Sequence, residues 1–221
     1  MKIALINQKT GYIEKVDRDA YFNKVRSAVN SGADYIIGPE LALGNRNDLI
    51  SPDEAQMYAE KMFGLLKSHQ LLIPGTVLSK GNYLVNSAPV ITSNNIEWVR
   101  KKTSVTEDEI AKNKGVEYLK GTSREGVINH NGKKIGIEIC RDHGHAKLRN
   151  SGVSDLELHA ILATNLASGV NAAKIVVRPG GIVAINDGAI SGYGRSVYKY
   201  EGGQLVDIQG KASKNYDFFE I

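Results

Sequence analysis

The sequence predicts an α/β fold, on three observations. Its opening third alternates short apolar runs with stretches of helical spacing. The remainder is strand-rich, with turn residues between the apolar runs. No linker, repeat or low-complexity tract divides the 221 residues, so one domain spanning 1–221 is expected.

"KIALIN", residues 2–7, reads as a buried first strand. In "DRDAYFNKVRSAVNSGAD", 17–34, Tyr21, Phe22, Val25, Ala28 and Val29 recur at helical spacing, and Gly32 supplies the stop. "DYIIGPE" is a second short strand that ends at Gly38-Pro39. The next helix opens on a Ser51 cap with Pro52 at its first position and continues through Met57, Met62, Leu65 and Leu66. Three strands follow in "LLIPGTVLSK", "YLVNSAPVIT" and "IEWVRKK". The polar, Gly-punctuated stretch 103–125 reads as a long loop with at most one helical turn, and loops of that length tend to be functional. "GVINHNGKKIGIEIC" is a hairpin around Asn131-Gly132, followed by a short helix over Ala146-Leu148. "LELHAILAT" and "GGIVAIN" are further strands, with "RPGG" a turn before the second. "GYGRSVYKYEGGQLVDI" holds a hairpin at Gly202-Gly203.

Composition excludes several functions. With 42% hydrophobic residues the chain can bury a core. Its net charge of +4, from 28 basic and 24 acidic residues, is spread in small doublets such as Lys101-Lys102 and Lys133-Lys134. That is not the concentrated basic stripe of a nucleic-acid binder. No apolar run reaches membrane-spanning length, and "MKIALINQ" is too short in its apolar part for a signal peptide. A single cysteine forms no internal disulfide, so a cytoplasmic protein is expected.

That cysteine, Cys140, stands where alternating Ile135, Ile137 and Ile139 give way to "CRDHGHAKL". Two more chemistry-bearing residues stand at strand ends: Glu40 after "DYIIGP" and Lys102 after "IEWVRK". Strand ends of an α/β sheet gather along one edge, where sites form. A thiol needs a base to become a thiolate, which a carboxylate can supply. An ammonium stabilises the oxyanion formed when the thiolate attacks a carbonyl or nitrile carbon. Taken singly, each residue has a plainer reading: a core thiol, a surface acid after a proline, an exposed lysine.

The segments "GADYIIGPELAL", "YLVNSAPVI" leading to "VRKKTSV", and "IGIEICRDHGHAKL" together resemble the three signature segments of the nitrilase (carbon-nitrogen hydrolase) superfamily, in that family's order. "MKIALINQ" and "IPGTVL" are similar to it as well, so the resemblance covers most of residues 1–148. It implies a four-layer α-β-β-α sandwich of the nitrilase type. It also implies a Glu-Lys-Cys triad hydrolysing a non-peptide carbon–nitrogen bond in a small amide or carbamoyl substrate, without cofactor or metal. By position, Glu40 becomes the base, Cys140 the nucleophile and Lys102 the lysine, with Lys101 as the alternative. The Arg141 backbone N–H would add an oxyanion donor. A second glutamate in the loop between lysine and cysteine falls on Glu117, with Glu107 and Glu109 as alternatives. Arg141 stands where the family usually has an aromatic residue, "HGHAKL" replaces its Arg and Pro-Glu positions, and Gly44-Asn45-Arg46 replaces its small hydroxyl-Gly-aromatic trio. Arg141, His143 and His145 are therefore the expected substrate-binding residues. A homodimer is compatible with the resemblance, as is a fold that has kept binding and lost catalysis.

Cys140, His143 and His145 also spell C-x-x-H-x-H, but no second ligand cluster accompanies them and a zinc-bound thiolate would not attack, so zinc is not expected. A Cys-His pair with His143 is disfavoured because thiol-imidazole partners come from distant segments.

Overall fold

The computed structural model describes residues 1–10, 15–122, 125–166, 172–189 and 194–221. In chain order its strands are β1 (Lys2–Ile6), β2 (Tyr35–Ile37), β3 (Leu71–Ile73), β4 (Val77–Lys80), β5 (Tyr83–Ile91), β6 (Ile96–Arg100) and β7 (Glu117–Tyr118). Then come β8 (Val127–His130), β9 (Lys133–Ile139), β10 (Leu156–Ala163), β11 (Val177–Asp187), β12 (Arg195–Glu201) and β13 (Gln204–Ile208), followed by β14 (Lys211–Ala212) and β15 (Tyr216–Glu220). The helices are α1 (Arg18–Asn30), α2 (Pro52–Phe63), α3 (Val105–Asn113), α4 (Arg141–Gly144) and α5 (Lys147–Asn150).

The first sheet runs β14-β15-β1-β2-β3-β5-β4, with β6 and β7 also paired to β5. The second runs β13-β12-β11-β10-β9-β8. Period-two alternation decides what each face meets. On β1, Ile3 and Leu5 enter the core between the sheets, together with Tyr35 and Ile37 of β2 and Ile135, Ile137 and Ile139 of β9. Ala4 and Ile6 face the other way and pack with Tyr21, Phe22, Val25 and Val29 of α1 and Met62 of α2. These are the helical positions that the sequence marks as apolar. Asp17 caps α1 by accepting the Ala20 N–H, and Ser51 with Glu54 forms a reciprocal capping box on α2.

The single-turn α4 and α5 pack outside the second sheet, and Leu148 of α5 is fully buried. The four layers are present, and the fourth is thin. No helix among the described residues is long and apolar enough to cross a membrane.

Several local expectations change. "LLIPGTVLSK" is two strands, β3 and β4, and α2 ends at Phe63, short of Leu65 and Leu66. The stretch 103–125 carries a nine-residue helix, α3, which begins after Ser104. The segment expected as one helix over Ala146-Leu148 is two short helices joined through Ala146, whose φ is 49°. "RPGG" lies inside β11 as an irregularity: Leu156 pairs with Val177 but Leu158 with Ile182.

The parallel strands set the site. β1, β2 and β3 run parallel in one sheet, and β9, β10 and β11 in the other. The two sheets are tied at their carboxyl ends. Asn186 of β11 donates to the carbonyls of Ile6 and Ile37 at 3.1 and 2.7 Å. Thr164, just past β10, donates to the Glu40 carbonyl at 2.9 Å. Gly38, ahead of Glu40, lets the chain pack against α1 and the turn after β3, since a Cβ would lie 2.3 Å from the Tyr21 hydroxyl and 2.5 Å from the Pro74 backbone.

Candidate active site

Glu40 follows β2, Lys101 follows β6, and Cys140 ends β9. All three stand at carboxyl ends of strands, where α/β sheets place their sites. Lys101 Nζ donates to Glu40 Oε1 at 2.8 Å and to Glu107 Oε1 at 2.6 Å. Asn86 Nδ2 reaches the same two oxygens at 3.0 and 3.2 Å. The Cys140 thiol donates to the Thr164 carbonyl at 3.7 Å. Glu40, Lys101, Glu107 and Cys140 are each less than a tenth exposed.

Burial and charge set the protonation pattern. The Cys140 thiol is pushed well up by burial and then by the Glu40 carboxylate, against the opposing pull of Lys101. It is a protonated thiol at rest. Burial acts to depress Lys101, but the Glu40 and Glu107 carboxylates overcome it, so the net shift is upward and the ammonium is retained. The Cys140 backbone turns sharply, at φ 48° and ψ −105°, so the side chain leaves the strand direction at the start of α4.

These four residues sit in a cavity of about 510 Å³. Leu41, Leu78, Ile110 and Leu166 form aliphatic wall, and Arg46, Arg141, Gly144 and His145 line it as well.

The expected site residues separate. Glu40 and Cys140 are together, but the lysine beside them is Lys101 and not Lys102. Lys102 points behind the site, against Gly126, where a glycine Cβ would lie 3.3 Å from its Nζ. Its ammonium nitrogen is buried without a hydrogen-bond partner. Burial lowers its affinity for the proton, opposed by Asp142, Glu138 and Glu125. Glu117 is exposed on β7, as is Glu109 on α3; the buried carboxylate against the lysine is Glu107, which α3 aims inward.

Arg141 and His145 are exposed and line the cavity, whereas His143 does not. Its ring is fully buried on the outer face of the second sheet. Glu138 Oε2 accepts from His143 Nδ1 at 2.8 Å and from His159 Nε2 at 3.0 Å, while Oε1 accepts the Leu148 N–H at 2.9 Å. Burial would raise the Glu138 carboxyl, but the two imidazole hydrogen bonds win and hold it far below the ordinary range. The three residues bring ligand-type atoms within 4.8 Å of one another. Two ring N–H groups shared by one carboxylate account for that proximity. Cys140, His143 and His145 therefore diverge, which removes the C-x-x-H-x-H arrangement.

Residues that sequence reasoning passed over include Asn86, whose amide bridges both carboxylates, and Thr164, which holds the Glu40 backbone. Asp142 is a further buried carboxylate, two residues past the cysteine. It accepts the backbone N–H groups of Lys102 and Thr103.

The family model Carbon-nitrogen hydrolase matches residues 2–168. No curated protein is significantly similar in sequence. Among solved structures, the chain is similar to a mutant of the amidase from Nesterenkonia sp. AN1 that shows Michael addition of acrylamide at its active-site cysteine. The TM-score is 0.72 and the identity 14%, covering 100% of this chain and 93% of that one. A second is XC1258 from Xanthomonas campestris, a CN-hydrolase superfamily protein with an arsenic adduct in the active site. Its TM-score is 0.71 and its identity 13%, covering 100% of this chain and 90% of that one.

Proposed function

The chain belongs to the carbon-nitrogen hydrolase family, and from that premise we propose that it is a thiol-dependent amidase acting through Cys140. The observation that carries the reading is the placement of Lys101 Nζ between Glu40 and Glu107, on the same cavity as the buried Cys140 thiol.

Because the thiol is protonated at rest, the base has to act in the same step as attack. Glu40 takes the thiol proton as sulfur bonds to the carboxamide carbon. The developing oxyanion is met by the Lys101 ammonium and by the Arg141 backbone N–H. Collapse breaks the C–N bond, and the leaving amine departs with the proton that Glu40 holds. Water then attacks the thioester, giving its proton to Glu40. The carboxylic acid leaves and the thiol is restored. Glu107 keeps Lys101 aimed and charged, and Asn86 holds the Glu40 and Glu107 carboxylates by donating to both. An intact carboxylate, ammonium and thiol at one cavity weigh against a copy that only binds.

The test is ammonia release from a panel of small amides, paired with intact-mass detection of the acyl-enzyme. Turnover by the unmodified protein and none by Cys140→Ala is the expected result. Turnover that survives Cys140→Ala, with no covalent species, would overturn it.

A further inference from the structure

Cys140 carries a backbone that its neighbours have to hold in place. Its φ of 48° and ψ of −105° lie where an L-residue is rarely found. Such a conformation persists only when the surroundings over-determine it. The helix that follows cannot do so alone, since α4 is a single turn whose cap position makes no side-chain hydrogen bond. Asp142 ties the turn to the other sheet through the N–H groups of Lys102 and Thr103. A second tie comes from Glu138, two residues before the thiol on β9. Its Oε2 accepts from His143 Nδ1 at 2.8 Å, and its Oε1 accepts the Leu148 N–H of α5 at 2.9 Å. Strand, turn and both short helices are thereby closed on one fully buried carboxylate.

We propose that the Glu138–His143 pair is a latch that sets the position of the Cys140 thiol and the Arg141 N–H, which makes His143 a positioning residue. Its effect on turnover rests on the amidase reading; its effect on the thiol does not. The anchor is firm, because β9 is paired with β8 on one side and β10 on the other. The transmission is direct. The His143 N–H donates to the Cys140 carbonyl at 3.0 Å, so a displaced imidazole moves the peptide that bears the nucleophile. Arg141 lies inside the segment that the latch closes. His159 supplies the contrast. It is equally buried and donates to the same Glu138 oxygen at 3.0 Å, but it stands on β10 and holds no part of the turn.

The experiment therefore compares His143→Ala with His159→Ala. Thermal unfolding, steady-state kinetics on a small amide, and the pH dependence of Cys140 alkylation by iodoacetamide are measured for each. Both variants should lose Tm. Only His143→Ala should lower kcat, by about tenfold to a hundredfold with KM little changed, as a reacting group displaced by about an ångström does. Only there should alkylation begin at lower pH, because the thiol is released toward water. His143→Asn puts an amide nitrogen where Nδ1 stands and should restore kcat and the profile, whereas His143→Gln puts it too far out and should not. That second pair decides the matter should His143→Ala fail to fold. Equal losses of kcat in the two alanine variants, an unchanged alkylation profile in His143→Ala, or an Asn variant no better than the Gln variant would overturn the proposal. If the unmodified protein hydrolyses no amide, the amidase reading falls, and the alkylation profiles still decide whether the latch holds.

Discussion

The carboxylate of Asp142 accepts the backbone N–H of Lys102 at 3.0 Å, and that of Thr103 at 2.8 Å. Asp142 lies two residues after the thiol, and Lys102 one residue after Lys101. One buried side chain thus joins the turn bearing Cys140 to the turn bearing Lys101. Asp142→Ala should leave two buried N–H groups without acceptors, at a cost of about 1–3 kcal/mol each. It should lower kcat more than it raises KM. Thermal unfolding and steady-state kinetics on the same preparation would check both.

The two neighbouring lysines should behave oppositely. Lys101→Ala should reduce kcat by about 10²–10³, the usual cost of losing an oxyanion donor. Lys102→Met replaces a buried ammonium that has no partner with an apolar chain of similar length. It should leave kcat nearly untouched and hold or raise Tm. A large kcat loss in Lys102→Met beside a mild one in Lys101→Ala would reverse the assignment.

Glu107→Gln should cut turnover, since Lys101 then keeps one carboxylate partner instead of two. Glu117→Gln, on an exposed strand, should change activity by less than about twofold. Measuring kcat/KM for the two variants on one amide is sufficient.

The lysine register was legible in principle. Val99 enters the core between the sheets, and Lys101 is two residues on, so period-two alternation puts both on one face. Lys102 shares parity with Arg100, whose guanidinium pairs with Glu125 on the other side. Matching family segments by their residue letters overrode that alternation. Glu107 left a trace too. It stands three and four residues before Ile110 and Ala111, which is one helical face. The Glu138 cluster was not legible. Its position on β9 faces away from the core between the sheets, where a strand residue normally meets water. The residues of α4 and α5 that bond to it help bury it, and neither helix is long enough to announce itself by periodicity.

Thiol ionisation should depend on Glu40. Its carboxylate helps raise the Cys140 thiol, so Glu40→Gln removes part of that elevation. Alkylation of Cys140 by iodoacetamide should then begin at lower pH than in the unmodified protein, while amide turnover is lost. Labelling rates against pH, read by intact mass, would show the shift. An unchanged profile would mean that burial alone governs the thiol.

Glu138 should make the fold acid-sensitive. Its folded carboxyl is held below its ordinary value of 4.5, so its ionised form is favoured by folding. That stabilisation is fully present above about pH 4.5 and is lost as the pH falls through the depressed folded value. Glu138→Gln should lower Tm at pH 7 and flatten the fall of Tm below pH 4.5. Scanning calorimetry from pH 3 to 8 would reveal either slope.

Glu40 and Lys101 hang from one sheet and Cys140 from the other, and their meeting depends on contacts such as Thr164 to the Glu40 carbonyl and Asn186 to Ile6 and Ile37. Catalysis is consequently a gauge of how the two sheets are docked. A compact acid state that keeps its strands but loosens the layer between them would lose activity together with its near-ultraviolet dichroism, while the far-ultraviolet signal persisted. A gentle destabilisant should therefore inactivate the protein as a switch in alignment, well before the backbone ladders themselves let go.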